Sequence, residues 1–264
     1  VKGEAVSPSA PSGTFPRRYL IAATLLLIAA VAAVAAGIDV VARPLRVAVI
    51  GNVPPLSYVD ERGRPSGFAV ELAEALCEVM KTRCTIHVVL LDEAIDALAA
   101  DRYDFASINL LATPERRERV LFSKPFYRSV SVWLARPSVV SGTHGLTVAA
   151  VRGSAQADYI EKQGWKHHFV DTHQDLTTAI ANGAADAAIV PMTTSVILVG
   201  DPRFKALGLQ PTVMSDPALG GDVCISISPK RKDLPARLDA ALDQLKNDGR
   251  FDRINSKYLP FKLQ

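Results

Sequence analysis

Residues 104–127 read DFASINLLATPERRERVLFSKPFY. The apolar run 105–110 predicts a buried strand. Thr113 stands where a helix N-cap belongs, and Pro114 follows at the first helical position, where its missing N–H costs nothing. Glu115 puts a carboxylate in the first turn, favourable against the helix dipole. Arg116 is the odd residue. A helix that begins just past the C-terminal end of a strand in an α/β sheet lies at the rim where ligands bind. An arginine there offers a planar fork matched to a carboxylate. A solvated charge is the ordinary alternative for an arginine on a short helix, and it is the expected state of Arg117 and Arg119.

Working outward, the chain alternates strands and helices. Residues 45–50 form a β-branched run, and 51–58 (GNVPPLSY) a loop that its two prolines keep from being helical. Ser66 is expected to cap a helix whose apolar face is Phe68, Leu72, Leu76 and Val79. A strand is expected at 85–90, followed by a helix at 93–100 capped by Asp92. This order implies a parallel sheet covered by helices. A second such unit follows: a strand at 146–151, a Gly153-Ser154 turn into a helix, a short strand ending at Val170, a helix within 171–181 and a strand at 184–190. Residues 203–221 carry the chain back, 223–227 form a returning strand, and 234–246 an amphipathic helix. A Gly-Ser turn feeding a helix exposes backbone N–H groups that suit an anion, although a plain capped start has the same appearance.

The chain has 264 residues, 48% of them hydrophobic, and a formal net charge of +3, enough for one large or two modest cores and without a basic stripe for nucleic acid. Residues 1–16 are rich in Pro, Ser, Gly and Ala and read as disordered. Arg17 and Arg18 precede a long apolar run, 20–36, whose one polar residue is Thr24, which places the amino end on the cytoplasmic side. Small residues crowd its far end, as a signal-peptidase site requires. A cleaved export signal is expected, with a retained membrane anchor as the alternative. No cysteine follows the run, so a lipid anchor is not expected. The five histidines show no metal spacing, and no cofactor or nucleotide motif is present.

The order T-x-E-R, an apolar pair, then F-S-x-P-F-Y resembles the heart of family 3 of the bacterial extracellular solute-binding proteins, the amino-acid receptors of ABC importers. The likeness runs from about Pro44 to the carboxyl end, where 245–261 (LKNDGRFDRINSKYLPF) match the family's ending. It implies an α/β, two-lobed periplasmic-binding-protein type II fold. Each lobe would be a mostly parallel sheet flanked by helices, with residues 44–136 and 221–264 in lobe 1, 137–220 in lobe 2, and two hinge crossings. It implies a periplasmic monomer that closes on a small carboxylate-bearing solute and delivers it to an inner-membrane permease, with no cofactor. The arginine at Arg116 would grip the ligand carboxylate, met from the far lobe by the turn at Ser154 and Ala155. Asn109, Leu111, Val53, Leu91 and Pro191 would line the pocket. The receptors for histidine and for lysine, arginine and ornithine carry a disulfide at the spacing of Cys77 and Cys84, which implies that bond here. Cys224 would remain a buried thiol.

Departures from the family have one sense. Pro191 stands where amino-acid receptors have the aspartate that pairs with the α-ammonium. Ala155 replaces a threonine or glycine, and Val53, Leu91 and Leu111 make the lining more apolar. The expected ligand therefore has a carboxylate and either no free α-amino group or one that stays in water, such as a keto, hydroxy or aromatic acid. Cyclohexadienyl dehydratases share the fold but need a glutamate in the segment matching 152–156 (RGSAQ), so an enzyme is not expected. A membrane-tethered sensor is the other alternative.

Overall fold

The computed structural model describes residues 43–200 and 202–263. The expected disordered start and the apolar run at 20–36 lie outside these residues. Among the described residues no helix is long and apolar enough to cross a membrane.

The first sheet opens with β1 (Leu45–Ile50), whose valines and alanine are buried on both faces, as a central parallel strand requires. A small antiparallel sheet follows, made of β2 (Asn52–Val53), β3 (Ser57–Val59) and β4 (Pro65–Ser66). Helix α1 (Phe68–Val79) then buries Phe68, Leu72 and Leu76. Its cap is Gly67, at φ 114°, and not the expected Ser66, which lies in β4. The reason is steric. A Cβ at position 67 would come within 2.8 Å of the carbonyl oxygens of Pro55 and Leu56. With that atom absent, the same two carbonyls accept the N–H groups of Phe68 (3.1 Å) and Ala69 (2.8 Å), so the loop backbone caps the helix.

Strand β5 (Cys84–Val89) pairs parallel with β1, and Cys77 at the end of α1 is disulfide-bonded to Cys84. The bond closes a loop with a sequence separation of 7. Replacing both cysteines by serine should lower unfolding free energy by about 2 kcal/mol, read by denaturant titration under oxidising conditions. Helix α2 (Leu91–Ala99) starts earlier than expected. Its N-cap is Leu90, and Asp92 sits in the first turn without capping through its side chain. Strand β6 (Phe105–Leu111) and the four-residue α3 (Pro114–Arg117) complete the stretch that decides the fold. Short strands β7 (Leu121–Phe122) and β8 (Tyr127–Ser129) follow.

The chain then changes sheets at Val130. Strand β9 (Ser131–Ala135) belongs to the second sheet. The second sheet adds β10 (Thr147–Val151), β11 (Lys166–Val170), β12 (Ala187–Pro191) and β13 (Gln210–Val213), in the order β11-β10-β12-β9-β13. Helices α4 (Ala155–Lys162) and α5 (His173–Ala181) link its parallel strands. Helices α6 (Met192–Gly200) and α7 (Pro202–Ala206) precede β13.

Strand β13 falls within the segment expected only to carry the chain back. All four of its residues are exposed, so no apolar alternation marks it, and Pro211 is tolerated because the strand is an edge. Strand β14 (Gly221–Ile227) returns to the first sheet, whose order is β5-β1-β6-β14-β7. Helices α8 (Leu234–Asn247) and α9 (Arg250–Tyr258) pack on α1, burying Leu238, Leu242, Leu245, Phe251 and Ile254.

The two crossings run side by side, with Gly221 paired to Ser129. They are braced by side chains. The Ser131 hydroxyl donates to the Leu219 carbonyl at 2.7 Å and accepts from Gln156 Nε2 at 2.8 Å. The lobes also meet through apolar contact: Leu91 and Ile95 of the first belong to the same buried cluster as Val151 and Leu176 of the second.

Candidate functional site

A cavity of about 70 Å³ lies between the lobes. The first lobe contributes Val53, Leu91, Asn109, Leu111 and Arg116; the second contributes Ser154, Ala155 and Pro191. All eight residues singled out in the sequence as ligand-lining therefore converge on one space.

Arg116 is 7% exposed, while Arg117 and Arg119 beside it face water. The local sequence explains this. Thr113 caps the turn through its hydroxyl, which accepts from Arg116 N, and Pro114 fixes the first helical residue. The side chain is thereby turned back toward the end of β6. Nη1 donates to the Leu111 carbonyl at 3.0 Å, and Nη2 crosses between lobes to the Gly153 carbonyl at 2.9 Å. A guanidinium carries five N–H donors, so these two bonds leave three. Burial pulls the Arg116 pKa down, with the fields of Asp158 and Glu115 opposing, and the group remains a cation at neutral pH. Among the described residues no carboxylate hydrogen-bonds to it, and no aspartate or glutamate lines the cavity.

Asn109 holds φ at +49°, the left-handed region that asparagine tolerates better than most residues, and so bends β6 where it meets the cavity. On the far side, Ser154 caps α4: its hydroxyl accepts from Ala157 N at 3.1 Å, and its own N–H is taken by the Val151 carbonyl at 3.1 Å. The backbone donors that a helix start offers an anion are then those of Ala155 and Gln156. Pro191 ends β12 and offers neither charge nor N–H to the space.

Gly153 sets how closely the lobes meet. Its φ is +72°, and a Cβ there would lie 2.3 Å from the Cα of Asp92 in the other lobe. Gly153→Ala should therefore hold the lobes apart and weaken ligand binding at least about tenfold, against a cost of only about 1 kcal/mol in the ligand-free protein, measurable by calorimetry on both states. An exposed ion pair, Lys162 to Glu115 at 2.7 Å, spans the mouth of the cleft and holds the Glu115 carboxyl down at about 2. Being solvent-exposed, it adds little to closure.

Several lining residues were not singled out in the sequence. Gln156 and His173 enter from α4 and α5, and Thr193 and Thr194 from α6. For His173 the local signal was present: Thr172 caps α5, accepting from Asp175 N at 3.2 Å, which fixes His173 as its first residue. That this first turn faces the other lobe is a tertiary fact. For the threonines even the helix was hidden, because the run TTSVILVG is rich in β-branched residues that locally favour strand.

A family model for bacterial extracellular solute-binding proteins, family 3, matches residues 45–261. The chain belongs to that family. This solute-binding protein is 26% identical over 225 residues to the ABC transporter arginine-binding protein 1 of Escherichia coli strain K12, covering 83% of this chain and 92% of that protein. It superposes on an ancestral arginine-binding protein bound to arginine with a TM-score of 0.72 at 22% identity, covering 82% of this chain and 98% of the other. A histidine kinase sensor domain with similarity to periplasmic binding proteins gives a TM-score of 0.73 at 23% identity, covering 84% of this chain and 98% of the other. The fold of the solute-binding protein is that of the type II periplasmic binding proteins, with mixed sheets flanked by helices.

Proposed function

We propose that this family member is an exported receptor that closes its lobes on a small monocarboxylate lacking a free α-ammonium and presents it to the permease of an ABC importer. The observation that carries this reading is a buried Arg116 without a carboxylate partner in a cavity that no acid lines. An isolated buried cation is costly, and an incoming carboxylate relieves that cost with charge-assisted hydrogen bonds. A zwitterionic amino acid would relieve Arg116 and strand its own ammonium, because Pro191 occupies the place of the acid that receives it in the family.

Size points the same way. At about 70 Å³ the space is roughly half the ~150 Å³ cavity that takes benzene, which favours a small solute. Arginine, the named ligand of the relatives, is larger. Contacts to both lobes let the ligand shift the equilibrium toward the closed form, which a permease can recognise.

Binding is favoured over catalysis because Gln156 fills the place of the dehydratase glutamate, and its amide is committed to Ser131. Likeness to a sensor domain supports a second reading, in which the same lobes stay tethered and report occupancy to a partner. The mass of the exported chain separates the two, since only the receptor loses its amino segment. The ligand reading is tested by isothermal titration with lactate, pyruvate, alanine and arginine. The two acids without an amino group should bind at least about tenfold more tightly than alanine. Tight binding of alanine or arginine with no response to the acids would overturn it.

A further inference from the structure

His173 is the one cavity-lining residue able to change charge near neutral pH, and the receptor reading gives it no task. It opens α5, and α5 packs against β2 of the opposite lobe, the strand that carries the cavity residue Val53. Its ring has no hydrogen-bond partner among the described residues. Burial alone drives its pKa down to about 4, with no charged neighbour contributing, so the imidazole is uncharged at neutral pH. A neutral imidazole has one donor and one acceptor, and in this half-buried ring, which lines the cavity, both are open to a solute that enters it.

We infer that His173 is a specificity-determining residue, hydrogen-bonding a hydroxyl or keto oxygen that the ligand carries beside its carboxylate. The ligand class is thereby narrowed to short 2-hydroxy or 2-oxo acids. This rests on the receptor reading, with Arg116 holding the carboxylate. The alternatives for the second group fit less well. A second carboxylate would require a protonated His173, which burial opposes. An ammonium would add a second cation to a cavity that already holds Arg116 and no acid. A plain methyl would offer the imidazole no hydrogen bond. A hydroxyl matches the donor and the acceptor of the ring alike.

The test is isothermal titration of the full chain at pH 7 with propionate, each enantiomer of lactate, and pyruvate, which share one carbon skeleton. Wild type is expected to bind pyruvate or one lactate at least about tenfold more tightly than propionate. In His173→Phe that ratio should fall to near one, with propionate affinity changed less than about threefold, while His173→Gln should keep most of the preference. An undiminished preference in His173→Phe, or no preference in wild type, overturns the inference. If the acids still bind and Arg116→Met abolishes that binding, the receptor reading stands without it. If none of the acids binds wild type, the receptor reading falls and takes this inference with it.

Discussion

Arg116→Met should reduce affinity for small monocarboxylates by at least about a hundredfold, equivalent to about 2.7 kcal/mol, without destabilising the ligand-free protein. Hydrogen bonds to charged groups contribute about 1.5–3 kcal/mol each, so losing two from the guanidinium accounts for the loss of affinity. The second half of the prediction separates a binding role from a structural one. Arg116 is buried, its hydrogen-bond acceptors among the described residues are the Leu111 and Gly153 carbonyls, and Asp158 and Glu115 reach it through their fields without bonding to it. A buried cation carries a desolvation penalty of several kcal/mol, which an apolar side chain of similar length removes along with the two carbonyl bonds. Calorimetric unfolding of the free variant should therefore give a midpoint equal to or above that of wild type. A fall of several degrees together with unchanged acid binding would assign Arg116 to the architecture instead.

The largest loss of stability is expected at Asp104, in the first lobe just before β6. Its side chain is fully buried and accepts from Arg43 Nη1 and Nη2 at 2.8 Å, from Arg46 N at 2.8 Å and from Arg231. The carboxylate joins the residue before Pro44, the first strand and the turn after β14. Burial alone would raise its pKa, but the hydrogen bonds from Arg43, Arg46 and Arg231 outweigh that and hold it well below the ordinary value. Asp104→Asn removes the charge and leaves these arginines without their common partner, at an expected cost of about 3–5 kcal/mol.

The pH dependence has a definite sign. Because the folded pKa is depressed, the native state binds fewer protons than the unfolded one, and the contribution of Asp104 is complete above an unfolded pKa of about 3.9. It is lost as pH falls from there through the folded value. Wild type should thus lose stability steeply below about pH 4, and Asp104→Asn should show a shallower slope in the same window. Parallel slopes for the two proteins would refute this account.

The site was legible to the extent that local chemistry reports it. Thr113-Pro114-Glu115 marks a helix start by capping and proline placement alone, and the segment before it reads as a buried strand, so Arg116 falls at a sheet rim by sequence logic. What the letters could not convey was set by long-range packing. Helix α1 is capped by loop carbonyls and not by a side chain, so Ser66 misled. Helix α6 is formed of residues that prefer strands, and β13 has no buried face to give it a period. His173 was dismissed because a lone histidine shows no metal spacing, yet what distinguishes it is the opposing lobe that covers it.

Gln156 joins two parts of the molecule that could have been separate. It lines the cavity, and its amide nitrogen is bonded to Ser131, which in turn holds Leu219 beside the returning crossing. Under the proposed reading, a guest that displaced this amide would also pull on the pivot, so the angle between the halves would follow the shape of what they enclose.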